Sequence, residues 1–157
     1  MTNKTNNLET AISIALKAHK GQPDKAGSPY ILHCLRVMLK GETLNEQIVG
    51  VLHDTIEDTN IKPKDLQKAG FTEEIIDAIE CLSKRENEVH KKYLSRVLSN
   101  KIAIKVKLND LEDNLNLLRL KELKESDIKR LNKYLETYRM LSGIDSNNII
   151  NKLFSLK

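Results

Sequence analysis

The stretch Ile48-Val49-Gly50-Val51-Leu52-His53-Asp54-Thr55-Ile56-Glu57-Asp58-Thr59 passes from a wholly apolar segment into four ionisable side chains, with Ile56 set among them. The apolar run is that of a largely buried helix. Helical residues four apart share a face, so Glu57 lies over His53 and Asp58 over Asp54. At the helix repeat the four side chains spread over an arc of roughly 140°. Left unpaired in a core, each would be strongly destabilising. A bound cation would offset that cost and would also supply chemistry. Two other readings compete. His53-Asp54 could face solvent, against which the apolar flanks argue, and Glu57-Asp58 could be a solvated helix end, which the helix dipole disfavours.

On both sides of this segment the apolar residues recur with helical spacing, and no run of alternating β-branched residues marks a strand. A first helix is expected at residues 7–19, with Leu8, Ala11, Ile12, Ala15 and Leu16 on its apolar stripe and His19 capping its last carbonyls. Gly21-Gln22-Pro23-Asp24-Lys25-Ala26-Gly27-Ser28 is rich in turn formers and reads as a loop. Pro29 suits the first position of a helix at residues 30–40, which Gly41 stops. The helix carrying His53 starts at Asn45 and ends near Thr59-Asn60. Lys62-Pro63 opens a short helix ending at Gly70, and Thr72 is placed to N-cap a helix at residues 75–83. Residues 84–89 read as a charged, mobile connection. Helices follow at residues 90–99, 102–120 and 126–142, and Gly143 separates them from a short last helix at 147–156. The polar residues 1–7 are expected to fray. The expected architecture is all-α: one single-domain helical bundle over residues 1–157.

A chain of 157 residues can bury a sizeable core. It shows neither a spanning segment nor a signal-peptide pattern, so a cytoplasmic location and no membrane partner are expected. Cys34 and Cys81 are too few for a disulfide framework and read as small core residues. A net charge of +4 suits an anionic partner, and both phosphate-rich small molecules and nucleic acid qualify. Aromatic content of only 4% and the lack of any block of five basic residues argue against nucleic acid.

Two further places carry groups of the same type. His33 lies in the otherwise apolar Pro29-Tyr30-Ile31-Leu32-His33, and Asp110 in Val106-Lys107-Leu108-Asn109-Asp110-Leu111. Glu112 and Asp113 compete with Asp110, but Asp110 shares a face with Asn114 whereas Glu112 points away. Two imidazoles and two carboxylates would form a mixed nitrogen and oxygen site suited to Mn²⁺, Fe²⁺ or Zn²⁺, not a thiolate zinc cage.

One histidine, then His-Asp, then a distant Asp on successive helices resembles the pattern of the HD-domain metal phosphohydrolases. More narrowly, Ala18-His19-Lys20-Gly21-Gln22 through Gly27-Ser28-Pro29-Tyr30-Ile31-Leu32-His33, Leu52-His53-Asp54-Thr55-Ile56-Glu57-Asp58-Thr59 and Lys105-Val106-Lys107-Leu108-Asn109-Asp110 resemble the hydrolase domain of the RelA/SpoT alarmone enzymes, above all the stand-alone small alarmone hydrolases. The likeness covers about residues 8–120, leaving residues 124–157 as helical scaffold. It implies that His33, His53, Asp54 and Asp110 are metal ligands, usually for Mn²⁺. It implies that Glu57 and Asp58 activate or orient the attacking water, and that Lys25, Tyr30, Lys107 and Asn114 line a nucleotide pocket. The reaction it implies is removal of pyrophosphate from the 3′ position of guanosine tetra- or pentaphosphate, giving GDP or GTP.

Asp24 stands where relatives commonly carry a base-stacking arginine, Cys34 where proline is usual, and Leu111 where a basic residue is usual. These departures bear on the substrate and spare the ligand set. They keep open an HD phosphohydrolase acting on another phosphorylated nucleotide or NADPH. A non-catalytic nucleotide-binding or antitoxin-type protein, paired with a cognate alarmone synthetase or toxin, is the reading from a different class.

Overall fold

Asn7, Thr43 and Asn100 each stand one residue ahead of a helix and turn a side-chain oxygen onto its free amides. They accept from Thr10 N at 2.9 Å, Glu46 N at 3.2 Å and Ala103 N at 3.0 Å, satisfying donors that the first turn leaves open. The helices they start are α1 (Leu8–Ala18), α3 (Leu44–Leu52) and α8 (Lys101–Asn114). Between and after them come α2 (Ile31–Leu39), α4 (Thr55–Asp58), α5 (Pro63–Lys68), α6 (Glu73–Leu82), α7 (His90–Leu98) and α9 (Glu125–Ser142), with a 3₁₀ turn at Leu117–Arg119. This computed structural model describes residues 7–143. The helix expected at 147–156 lies outside the described residues, and so does the stretch expected to fray at residues 1–7 except for Asn7, which caps α1. No strand occurs among the described residues; Pro23 and Pro29 form one isolated bridge within the loop. The expected all-α architecture is what the chain adopts.

Helix α3 is the spine. It packs against α1, α2, α6 and α8, and Ile48, Val49, Val51 and Leu52 are fully buried. Each buried aliphatic side chain of this kind contributes about 1.5–3 kcal/mol of transfer free energy. Cys34 is fully buried and Cys81 partly so, and both are free thiols. Gly50 lets α3 lie close against α2: a Cβ there would stand 3.0 Å from Met38 Cα and 3.3 Å from Val37 C. Both neighbours are backbone, so the helices themselves would have to part. Gly50→Ala is therefore expected to destabilise the fold by about 1–3 kcal/mol, read as a lower denaturant midpoint at unchanged slope.

The boundaries differ from expectation at places where side chains compete for backbone groups. The helix expected to run unbroken from Asn45 past Asp58 stops at Leu52 and resumes at Thr55. There His53 Nδ1 donates to Gly50 O at 2.7 Å and Thr55 Oγ1 to Leu52 O at 2.7 Å, capturing carbonyls of the last turn. The expected helix at 102–120 ends at Asn114, because Asn116 Oδ1 accepts from Leu118 N at 3.2 Å and starts the 3₁₀ turn. Pro29 stands just before the N-cap residue Tyr30, not at the first helical position. Thr72 precedes α6 as expected, but its hydroxyl makes no capping bond. His19 does not cap carbonyls with its side chain; its Nδ1 bonds Gln22 Oε1 at 2.8 Å. Residues 84–89 are tied down by Arg96, which donates to Glu88, Ser83 O and Glu80 O. No helix among the described residues is long and apolar enough to cross a membrane.

Candidate metal centre

The candidate ligands converge at the break between α3 and α4. His53 and Asp54 occupy the break itself, His33 comes from α2 and Asp110 from α8. His53 Nε2 lies 2.8 Å from Asp54 Oδ2 and 3.7 Å from Asp110 Oδ1. His33 Nε2 lies 3.2 Å from Asp110 Oδ1 and 3.9 Å from Asp54 Oδ2. His33, His53 and Asp54 each offer a donor atom within 4.8 Å of the others, and Asp110 closes the group from α8.

The two imidazoles are held from behind. His33 Nδ1 bonds Asp113 Oδ2 at 2.6 Å and His53 Nδ1 bonds Gly50 O at 2.7 Å. The carbonyl can only accept, so His53 carries its proton on Nδ1. Both Nε2 atoms are buried and make no hydrogen bond. Inward Nε2 atoms with the outward Nδ1 atoms held by hydrogen bonds are the arrangement of metal-ligating histidines, and the donors present fit a divalent cation that would replace the Nε2 protons.

The electrostatics follow from this crowding. Burial would raise the Asp110 carboxyl, but the Lys107 ammonium at 2.8 Å and the two imidazoles hold it well below the usual range. Burial likewise opposes ionisation of Asp54, yet His53 brings it down to about 2. In return, Asp54 and Asp110 keep His53 well above the usual imidazole range despite the burial that would lower it. Carboxylates that hold protons on imidazoles in this way offer the same charge to a cation, whose binding releases those protons. Glu57 and Asp58 are both raised, first by partial loss of solvent and then by the charge of Asp54.

A cavity of about 410 Å³ opens over this cluster. Lys25, Tyr30, Lys107 and Asn114, the residues expected in a nucleotide pocket, all line it, and so do Glu57 and Asp58. Three of them also act on the cluster: Lys107 Nζ and Asn114 Nδ2 bond Asp110 at 2.8 and 2.6 Å, and the Tyr30 hydroxyl donates to Asp54. One expectation needs correction. Of the four ionisable side chains only His53 is buried and Asp54 partly so; Glu57 and Asp58 are exposed, and Glu57 accepts from Lys84 N at 2.7 Å.

Several cavity residues escaped the sequence reading. Helix α9, expected as scaffold, contributes Arg130, Lys133, Tyr134 and Thr137, and the 3₁₀ turn contributes Arg119. Asp113, read as a mere competitor of Asp110, is the partner of His33, Arg36 and Arg119. One signal was available: His33 and Arg36 share a face of α2, which calls for an acid opposite.

No family model matches the chain. It is 36% identical over 97 residues to the guanosine-3′,5′-bis(diphosphate) 3′-pyrophosphohydrolase of Borreliella burgdorferi, covering 59% of this chain and 14% of that protein. With the protein of the same name from Aquifex aeolicus it is 30% identical over 123 residues, covering 71% and 18%. With a GTP pyrophosphokinase of Streptomyces coelicolor it is 28% identical over 153 residues, covering 90% and 18%. The chain thus spans less than a fifth of each of these relatives. Among solved structures it matches a metazoan ortholog of SpoT, described as hydrolysing ppGpp, with a TM-score of 0.72 at 18% identity over 99% of this chain and 96% of that one. That likeness extends the shared fold over nearly the whole of both chains. Taken with the sequence matches, it identifies this chain as an HD domain of the RelA/SpoT hydrolase type.

Proposed function

We propose that the chain is a metal-dependent hydrolase of guanosine 3′,5′-bis(diphosphate), releasing pyrophosphate and leaving GDP, or GTP from the pentaphosphate, and that it works in the cytoplasm. The observation that carries this reading is the pair of inward, unbonded Nε2 atoms facing two carboxylates at the floor of a cavity with a cationic wall. His33, His53, Asp54 and Asp110 would hold the cation, with Mn²⁺ the expected occupant. When bound, such a cation supplies Lewis acidity, making water a better nucleophile and offsetting phosphoryl charge.

The chain's own residues do the rest. Glu57, supported by Asp58, takes a proton from the attacking water, whose oxygen bonds to the phosphorus on the 3′ oxygen. The bond between that phosphorus and the 3′ oxygen breaks, and the 3′ oxygen takes up a proton from solvent as pyrophosphate leaves. The raised affinity of Glu57 for protons suits a base. Lys25, Lys84 and Lys133 line the cavity from three separate elements, and none of them is in a salt bridge among the described residues. Their charge suits a second phosphate group away from the reacting one. Tyr30 and Asn114 orient Asp54 and Asp110, and Lys107 neutralises Asp110.

Asp24 and Leu111, both on the cavity wall, favour a second reading in which the same chemistry serves another phosphorylated nucleotide or NADPH. Pairing with an alarmone synthetase or toxin would follow from removal of that enzyme's product. The decisive assay incubates pure protein with Mn²⁺ and guanosine tetraphosphate. Equimolar GDP and pyrophosphate, abolished by a chelator, is the expected outcome. Metal-loaded protein that releases no pyrophosphate from it, but turns over NADPH or another nucleotide in the same panel, would transfer the assignment to the second reading.

A further inference from the structure

Asp24 and Asp113 grip the same guanidinium from different sides. Arg119 Nη1 lies 3.2 Å from Asp24 Oδ2, while Nη2 donates to Asp113 O at 2.8 Å and lies 3.4 Å from Asp113 Oδ2. Each carboxylate has a second duty. Asp113 Oδ2 holds His33 Nδ1 at 2.6 Å, and Asp113 also takes two bonds from Arg36. Asp24 Oδ1 takes the amides of Ala26 and Ser28 at 2.9 Å each and so shapes the loop at the cavity's edge. Both carboxylates are more than nine-tenths buried and Arg119 is about three-quarters buried. Charged hydrogen bonds so shielded from water are strong and directional. A guanidinium can span two carboxylates in this manner; a single ammonium cannot.

We propose that Arg119 is a positioning residue shared by the metal site and the loop at residues 24–28, so that loading His33 with a cation firms that loop. A cation on Nε2 fixes the proton of His33 on Nδ1 and strengthens its bond to Asp113. A better-held Asp113 holds one side of the Arg119 fork, and the other side holds Asp24. By linkage, ordering the loop raises cation affinity by the same factor. The inference rests on the metal site of the proposed function and is independent of its substrate. Tyr30, which bonds Asp54, offers a second route from the cluster to this loop, and the test separates the two.

The test follows hydrogen exchange of the amides at residues 24–28 in the full chain, with and without saturating Mn²⁺, alongside calorimetric Mn²⁺ titration and thermal melting. In the wild type, Mn²⁺ is expected to slow this exchange on the order of tenfold, the usual size of a coupling between sites. Arg119→Gln is expected to abolish the slowing and to weaken Mn²⁺ binding by about tenfold or more. Arg36→Gln, which touches Asp113 but not Asp24, should weaken Mn²⁺ and keep the slowing at saturation. Tyr30→Phe should keep it as well. If Arg119→Gln does not fold, Arg119→Lys, which keeps the charge but not the fork, is expected to lose the slowing. The proposal is overturned if the wild type shows no Mn²⁺-dependent slowing, if either Arg119 variant retains it, or if Tyr30→Phe removes it. Absence of guanosine tetraphosphate turnover would leave every one of these readouts intact.

Discussion

Asp110→Ala is expected to cost the fold about 3–5 kcal/mol, the usual penalty for removing one partner of a buried ion pair. Lys107 Nζ lies 2.8 Å from Asp110, and both side chains are shielded from solvent. Without the carboxylate, the ammonium is left in a pocket that burial makes hostile to charge; Asp110 is what keeps Lys107 firmly protonated there. Asn114 Nδ2 loses its acceptor at the same time. Chemical denaturation with parallel circular dichroism would read the loss. Lys107→Met placed on top of Asp110→Ala should recover most of it, because the pair would then be gone instead of broken. A single variant within 1 kcal/mol of the wild type would mean that water or another group satisfies Lys107, and the buried-pair account would fail.

Glu57→Gln is expected to lower kcat by about 10²–10⁴-fold, the range for loss of a general base. Mn²⁺ affinity and melting temperature should stay near wild type. The amide oxygen of glutamine can still accept from Lys84 N, so the connection after α6 keeps its anchor. A variant that binds metal and nucleotide normally but turns over as fast as the wild type would move the proton-accepting role to Asp58 or to solvent. If turnover and metal binding fell together, Glu57 would be part of the cation's cage.

The helices were legible because apolar residues recur in them at helical spacing, as Leu8, Ala11, Ile12 and Ala15 do in α1, whereas the capping residues Asn7, Thr43 and Asn100 went unread. The convergence of His33, His53, Asp54 and Asp110 was legible only as a pattern of residue types in family order; spacing alone does not place α8 beside α2. Two kinds of feature stayed hidden. One is local competition for backbone groups. Nothing in the helical periodicity of residues 45–59 shows that His53 and Thr55 take up carbonyls of the preceding turn. The other is pairing between distant charges. Asp113 looked like a competitor of Asp110, and Arg119 drew no reading. Their roles arise only when α2, the loop and the 3₁₀ turn meet. The cationic lining from α9 was missed for a similar reason: an exposed lysine such as Lys133 has the same pattern whether it faces bulk water or a cavity mouth.

Gly50 sits in tight contact between α2 and α3, with His33 on the one helix and His53 just beyond the end of the other, their ring centres 5.3 Å apart. Inter-helix spacing at that point therefore acts as a calliper on the imidazoles. A methyl group at position 50 would widen the jaws, and a divalent cation shared by the two imidazoles would be held less tightly.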